Sequence, residues 1–116
     1  MISDPKPKTF RSNKYKNWVK SLSCIKCGRT PCDPHHQNLG DRPAMGLKAP
    51  DSQCIPLCPK CHSEYHNKGK ETFWGYQSTS ALIIDTIKQY IFEELHINPE
   101  MLVIEFLTKF LEENGD

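Results

Sequence analysis

Four cysteines and four histidines, spaced as metal ligands are spaced, hold most of the chemistry available to this chain. Cys24 and Cys27 form one Cys-x-x-Cys pair, and Cys58 and Cys61 form a second. Together they supply four soft thiolates, the ligand set of a closed tetrahedral zinc site. The second pair runs straight into His62-x-x-x-His66. Positions four apart on a helix share one face, so these two imidazoles can grip a single ion. The doublet His35-His36 lies between the pairs and can add a third ligand and a general base. The bland alternatives are a polar loop doublet at His35-His36 and a histidine that replaces one cysteine in the zinc site. Four cysteines already complete a tetrahedron, which weighs against the second.

Six cysteines would also suit three disulfides in a secreted protein. No apolar stretch follows the basic N-terminus as a signal peptide would, and thiols paired two residues apart favour zinc in a reducing cytosol. Cys32 and Cys54 stand outside the pairs and read as small buried hydrophobes or as spare metal ligands. No run approaches the roughly 18 apolar residues of a membrane-spanning helix. The expectation is a soluble cytoplasmic protein with no membrane partner, in the host cytoplasm if phage-encoded.

The ligands need a frame, and the chain is long enough for one compact domain with an appended subdomain. Hydrophobic content of 37% is modest, so a metal staple is a plausible source of stability. The net charge of +1 conceals an asymmetry. Residues 1–77 carry 13 Lys/Arg against 6 Asp/Glu, a net of +7, whereas residues 78–116 carry 2 against 8, a net of −6. The first region has the charge of a phosphate-binding surface and the second does not. This divides the chain into a basic zinc-containing core, 1–77, and an acidic helical hairpin, 78–116.

Residues 1–9 read as a basic arm. Ser12 can cap a helix through Leu22 with Tyr15, Trp18, Val19 and Leu22 on its apolar stripe and Lys14, Lys16 and Lys20 opposite. Cys24 to Gly28 is a knuckle, with Gly28 available for its tight turn. A short strand over Asp33 to Gln37 is expected next, then a Gly- and Pro-containing loop over 38–52, a strand from Gln53 to Leu57, and a helix that opens on Pro59 and stops at Gly69. Trp74 and Tyr76 suit core packing or stacking on bases. Beyond Ser78 the apolar residues follow a helical period, and Asn98-Pro99-Glu100 starts a second helix.

This layout resembles the HNH nucleases. Zinc-stapled members of that family carry Cys-x-x-Cys, then His-His, then a polar residue before Leu-Cys-x-x-Cys-His. The match covers residues 24–66, and within the family it is most similar to small phage nucleases related to the RecA-dependent nuclease Ref, through Asp33-Pro34-His35-His36 and Ile55-Pro56-Leu57-Cys58 onward. The resemblance implies an α+β fold: a zinc-stapled ββα-metal core with an N-terminal helix and a C-terminal helical hairpin. It also implies Cys24, Cys27, Cys58 and Cys61 as structural zinc ligands, and His35, His62 and His66 as ligands of a catalytic Mg²⁺, Mn²⁺ or Zn²⁺. His36 takes the place of the general base. The family's middle Asn falls at Gln53, whose longer amide can brace the hairpin.

Physical chemistry is compatible with these roles. Phosphodiester hydrolysis needs an activated water and a cation on the scissile phosphate, and a histidine neutral at pH 7 can accept water's proton. Neighbours on an ideal strand point to opposite faces, so a twist or bulge is expected to bring His35 and His36 to one reaction. Asp33 and Asp51 read either as partners that orient an imidazole or as plain surface aspartates, and the sequence does not choose between the two. The leading expectation is a metal-dependent DNA endonuclease of a phage or prophage, acting in DNA recombination or processing. DNA contacts are expected from Lys14, Lys16, Lys20, Arg29, Arg42 and Lys48, and a RecA-type recombinase or another protein is expected at the C-terminal helices. The rival is a non-catalytic zinc module or adaptor that binds nucleic acid or protein, in which the extra histidines have no task.

Overall fold

The computed structural model describes residues 9–37 and 49–115. The fold is α+β: the described residues form one two-stranded antiparallel sheet and five α-helices. Helix α1 (Asn13–Lys20) precedes strand β1 (Asp33–His36), a 3-10 turn (Asp51–Gln53) leads into β2 (Cys54–Leu57), and α2 (Pro59–Lys68) follows at once. Then come α3 (Lys70–Trp74), α4 (Thr79–Glu94) and α5 (Pro99–Asn114).

Local chemistry accounts for most boundaries. Ser12 caps α1, its hydroxyl accepting the Tyr15 N–H at 3.0 Å. The helix ends at Lys20, short of Leu22, because Ser21 turns its N–H back onto the Trp18 and Val19 carbonyls. Pro59 opens α2 where a missing N–H costs nothing, and Gly69 closes it at φ 85°, a conformation only glycine adopts freely. Helix α3, not foreseen from the sequence, is a five-residue turn between Gly69 and Gly75.

The strands pair in continuous register, Asp33 with Leu57, Pro34 with Pro56, His35 with Ile55 and His36 with Cys54. The Gln37 N–H donates to the Gln53 carbonyl at 3.0 Å, so alternate pairs carry the ladder and the two prolines oppose each other where no donor is needed. No bulge interrupts the paired residues. His35 is buried on one face, while His36 lies on the other, half-exposed.

Helix α1 packs on both strands. Val19, Ile55 and Leu57 are fully buried, with Tyr15, Phe73 and Trp74 nearly so. Each aliphatic side chain so buried contributes about 1.5–3 kcal/mol. Trp74 is thus a core residue, whereas Tyr76 is fully exposed. The knuckle is tied in twice: the Ile25 N–H donates to the Pro56 carbonyl at 3.0 Å, and Lys26 Nζ donates to the Phe73 carbonyl at 2.9 Å while lying over the Phe73 ring.

The chain divides into two compact units between Ile83 and Ile84, within α4. In the second, Asn98 caps α5 by accepting the Glu100 N–H, and Lys88 pairs with Glu100 at 2.9 Å. Helix α5 buries none of its residues, and its Phe106, Phe110 and Leu111 stand 54–67% exposed. No helix among the described residues is long and apolar enough to cross a membrane.

Candidate functional site

The two knuckles meet where the hairpin ends and α2 begins. The sulfurs of Cys24, Cys27, Cys58 and Cys61 all lie within 4.8 Å of one another, and those of Cys27 and Cys58 are 3.5 Å apart. Zinc–sulfur bonds of about 2.3 Å set tetrahedral sulfurs roughly 3.8 Å apart, so the cluster has the dimensions of a metal site. In the first knuckle Gly28, at φ 82°, returns its N–H to the Cys24 carbonyl at 2.8 Å, and the Lys26 N–H faces the Cys24 sulfur at 3.4 Å. In the second, Cys58 caps α2 and its sulfur accepts the Cys61 N–H at 3.4 Å.

Electrostatics asks for a cation there. Burial pushes the Cys24 thiol up, but backbone N–H groups aimed at its sulfur prevail and draw it down to about 6. Cys61 moves strongly upward through burial and the neighbouring sulfurs. Cys24, Cys58 and Cys61 are buried and Cys27 is exposed; without a positive ion four sulfurs this close cannot all ionise, and a cation would let them form a closed structural site. Cys32 stays outside it, its thiol donating to the Arg29 carbonyl at 3.3 Å.

The inner face of the hairpin carries imidazoles. His35 meets His62 at 4.9 Å and His66 at 6.3 Å between ring centroids, and His62 meets His66 at 4.8 Å. The Tyr65 ring, which the sequence did not single out, stands edge-on to His35 at 4.4 Å. Its position between the two helix histidines was the available signal. His35 is only 5% exposed and its Nε2 has no hydrogen-bond partner. Burial, then the nearby His62, lowers its pKa to about 4, so it stands as a neutral imidazole at pH 7. Gln37, two residues along the same strand face, is fully buried; its amide bears on His35 without reaching full hydrogen-bond geometry. Orphaned polar groups of this kind cost about 1–3 kcal/mol each, and a bound cation would relieve that of His35. His62 turns Nδ1 to Asp33 at 3.2 Å, which leaves Nε2 for an ion, as in a carboxylate–histidine–metal relay. The three imidazoles gather more loosely than the sulfurs. Among the described residues, the sets converging within 4.8 Å are the four cysteines and the trio His36, Asp51 and Cys54.

That trio lies on the outer face. His36 Nε2 is 2.8 Å from Asp51 Oδ1. Cys54 sits opposite His36 in the non-hydrogen-bonded register, where side chains come closest. Burial pushes the Cys54 thiol up to about 12, so it enters as a neutral S–H. Gln53 ties the hairpin through its backbone carbonyl. Lys14 and Lys20 are exposed on α1, Lys16 is half-exposed, and Arg29 is exposed beyond the knuckle. Arg42 and Lys48 lie outside the described residues.

Uncharacterized protein YdfU of Escherichia coli strain K12 is 42% identical over 62 residues, which are 53% of this chain but 18% of that protein. No solved structure matches the chain. The family model described as a protein of unknown function, DUF968, matches residues 1–92, so this chain belongs to the DUF968 family.

Proposed function

We propose that this chain is a metal-dependent DNA endonuclease of the HNH, ββα-metal type, hydrolysing phosphodiester bonds in phage or prophage DNA processing. The observation that carries the reading is the convergence of His35, His62 and His66 from one strand and one helix, fastened directly to the four-cysteine cluster. His35, with its unpartnered Nε2, and the Asp33-oriented His62 suit a divalent ion, which when bound would neutralise charge on the scissile phosphate. His36 is solvent-reachable, and Lys16 is near enough to Asp51 to act on its charge. Cationic groups beside a prospective base suit a phosphate backbone.

The rival, a zinc module that binds nucleic acid without cutting it, draws on a different observation. The regular strand turns His35 and His36 to opposite faces, so a shared reaction would have to take place at the rim where the faces meet. One experiment separates the two. Supercoiled, linear and single-stranded DNA are incubated with the zinc-loaded protein and Mg²⁺, Mn²⁺ or additional Zn²⁺, alongside His36→Ala. Metal-dependent nicking lost in the variant supports the nuclease; binding without cleavage under every metal supports the module. A RecA-type recombinase added to the same assay tests whether a partner is required.

A further inference from the structure

Asp51 opens the 3-10 turn before β2 and is 2% exposed. A buried carboxylate is tolerated when donors surround it, and three do. The Ser12 N–H donates to Oδ2 at 2.8 Å, while His36 Nε2 and Arg11 Nη1 approach Oδ1 at 2.8 and 3.4 Å. Burial alone would raise its pKa, but the bonds from His36 and the Ser12 N–H outweigh it and hold the carboxyl below its usual range. An ionised carboxylate only accepts hydrogen bonds. The 2.8 Å contact therefore requires hydrogen on Nε2, and a neutral ring then offers its lone pair at Nδ1.

We propose that Asp51 is a positioning residue that fixes His36 as its Nε2–H tautomer, leaving Nδ1 as the atom that takes a proton from the attacking water. The tautomer stands on the three donors gathered around the Asp51 carboxylate; its catalytic consequence rests on the nuclease reading. In that step the water O–H bond breaks and its proton goes to the Nδ1 lone pair. The electron pair left on oxygen forms the new P–O bond, and the P–O bond to the leaving sugar oxygen breaks with its own pair. That oxygen takes a proton from solvent. The imidazolium so formed shares its charge with the Asp51 carboxylate, as an oriented base requires.

Asp51 also clamps the segment before α1, since its own N–H donates to the Phe10 carbonyl at 2.9 Å and Arg11 donates to the Ala49 carbonyl at 2.6 Å. The test must separate clamp from positioner. Long-range ¹H–¹⁵N spectra of the zinc-loaded full chain report which His36 nitrogen bears hydrogen, in the wild type, in Asp51→Asn and in Arg11→Met. The wild type and Arg11→Met should both show hydrogen on Nε2. In Asp51→Asn, whose amide can donate to the ring, hydrogen should move largely to Nδ1, and with no carboxylate to share the imidazolium's charge kcat on plasmid DNA should fall roughly 10²-fold or more with KM little changed. Hydrogen on Nδ1 in the wild type, or wild-type kcat in Asp51→Asn, overturns the proposal. Should Asp51→Asn fail to fold, the wild-type spectrum still decides the tautomer. A wild type that cuts no DNA defeats the nuclease reading and leaves the tautomer result standing.

Discussion

Around Cys24, Cys27, Cys58 and Cys61 every sulfur lies within 4.8 Å of every other, and backbone N–H groups already face two of them. Around His35, His62 and His66 the rings stand 4.8 to 6.3 Å apart, and Asp33 and Tyr65 hold the surroundings. Both regions draw on α2, yet one is closed and the other open. A closed tetrahedron of thiolates leaves no position for substrate, which is the signature of a structural ion, whereas a loose imidazole set leaves room for water and phosphate. The contrast teaches that Leu57 to His66 serves twice: Cys58 and Cys61 join the sulfur cluster, and His62 and His66 stand on the same helix beside His35.

The largest break in this comparison is removal of the closed site. Purified protein should hold one zinc per chain by elemental analysis, and Cys58→Ser or a strong chelator should abolish the cooperative melt. Structural zinc contributes about 10–16 kcal/mol in small zinc-folded peptides. An unchanged melt without zinc would show that the cluster fastens nothing. Next in size is the open side. His36→Ala should slow cleavage by about 10²–10⁴-fold while zinc content and DNA affinity persist; cleavage at the wild-type rate would remove His36 from the chemistry.

A finer cut separates ligands from the groups that orient them. His62→Ala should abolish Mn²⁺ binding at the open site, and Asp33→Ala should weaken it by about 10–100-fold, with the structural zinc retained in both. Equal Mn²⁺ affinity in Asp33→Ala, measured by calorimetry, would reduce Asp33 to a surface acid. Smaller still is the effect of single cations. Changing Lys14, Lys16 or Lys20 to Gln should each lower the salt dependence of DNA binding by about one in slope, and a slope that does not move would place the interface elsewhere. The smallest change is expected outside this core. Phe106→Ser, on a helix that buries nothing, should alter stability by less than about 0.5 kcal/mol, and a larger loss of Tm would show that α5 is packed in solution.

Much of this molecule follows from local rules that the sequence states directly. Ser12, Pro59, Gly69 and Asn98 stand where helices begin or end, because capping and φ preferences act over one turn of chain. The four cysteines converge as their spacing implies, since a Cys-x-x-Cys knuckle already points two sulfurs at one place. The pairing of His36 with Asp51 and of His62 with Asp33 is another matter. Each partner lies 15 or 29 residues away in sequence, and only strand register and the packing of α2 on the hairpin bring them within hydrogen-bond reach. Burial is likewise a tertiary decision. His35 and His36 are neighbours of one residue type, yet the strand's alternation buries one as a neutral imidazole and leaves the other at 22% side-chain exposure beside a carboxylate. Sequence determined which groups are present and how the helices start and stop. Which face each imidazole occupies, and what charge sits beside it, came from the contact of hairpin, turn and helix, because solvent exclusion and long-range hydrogen bonds exist only once those elements meet.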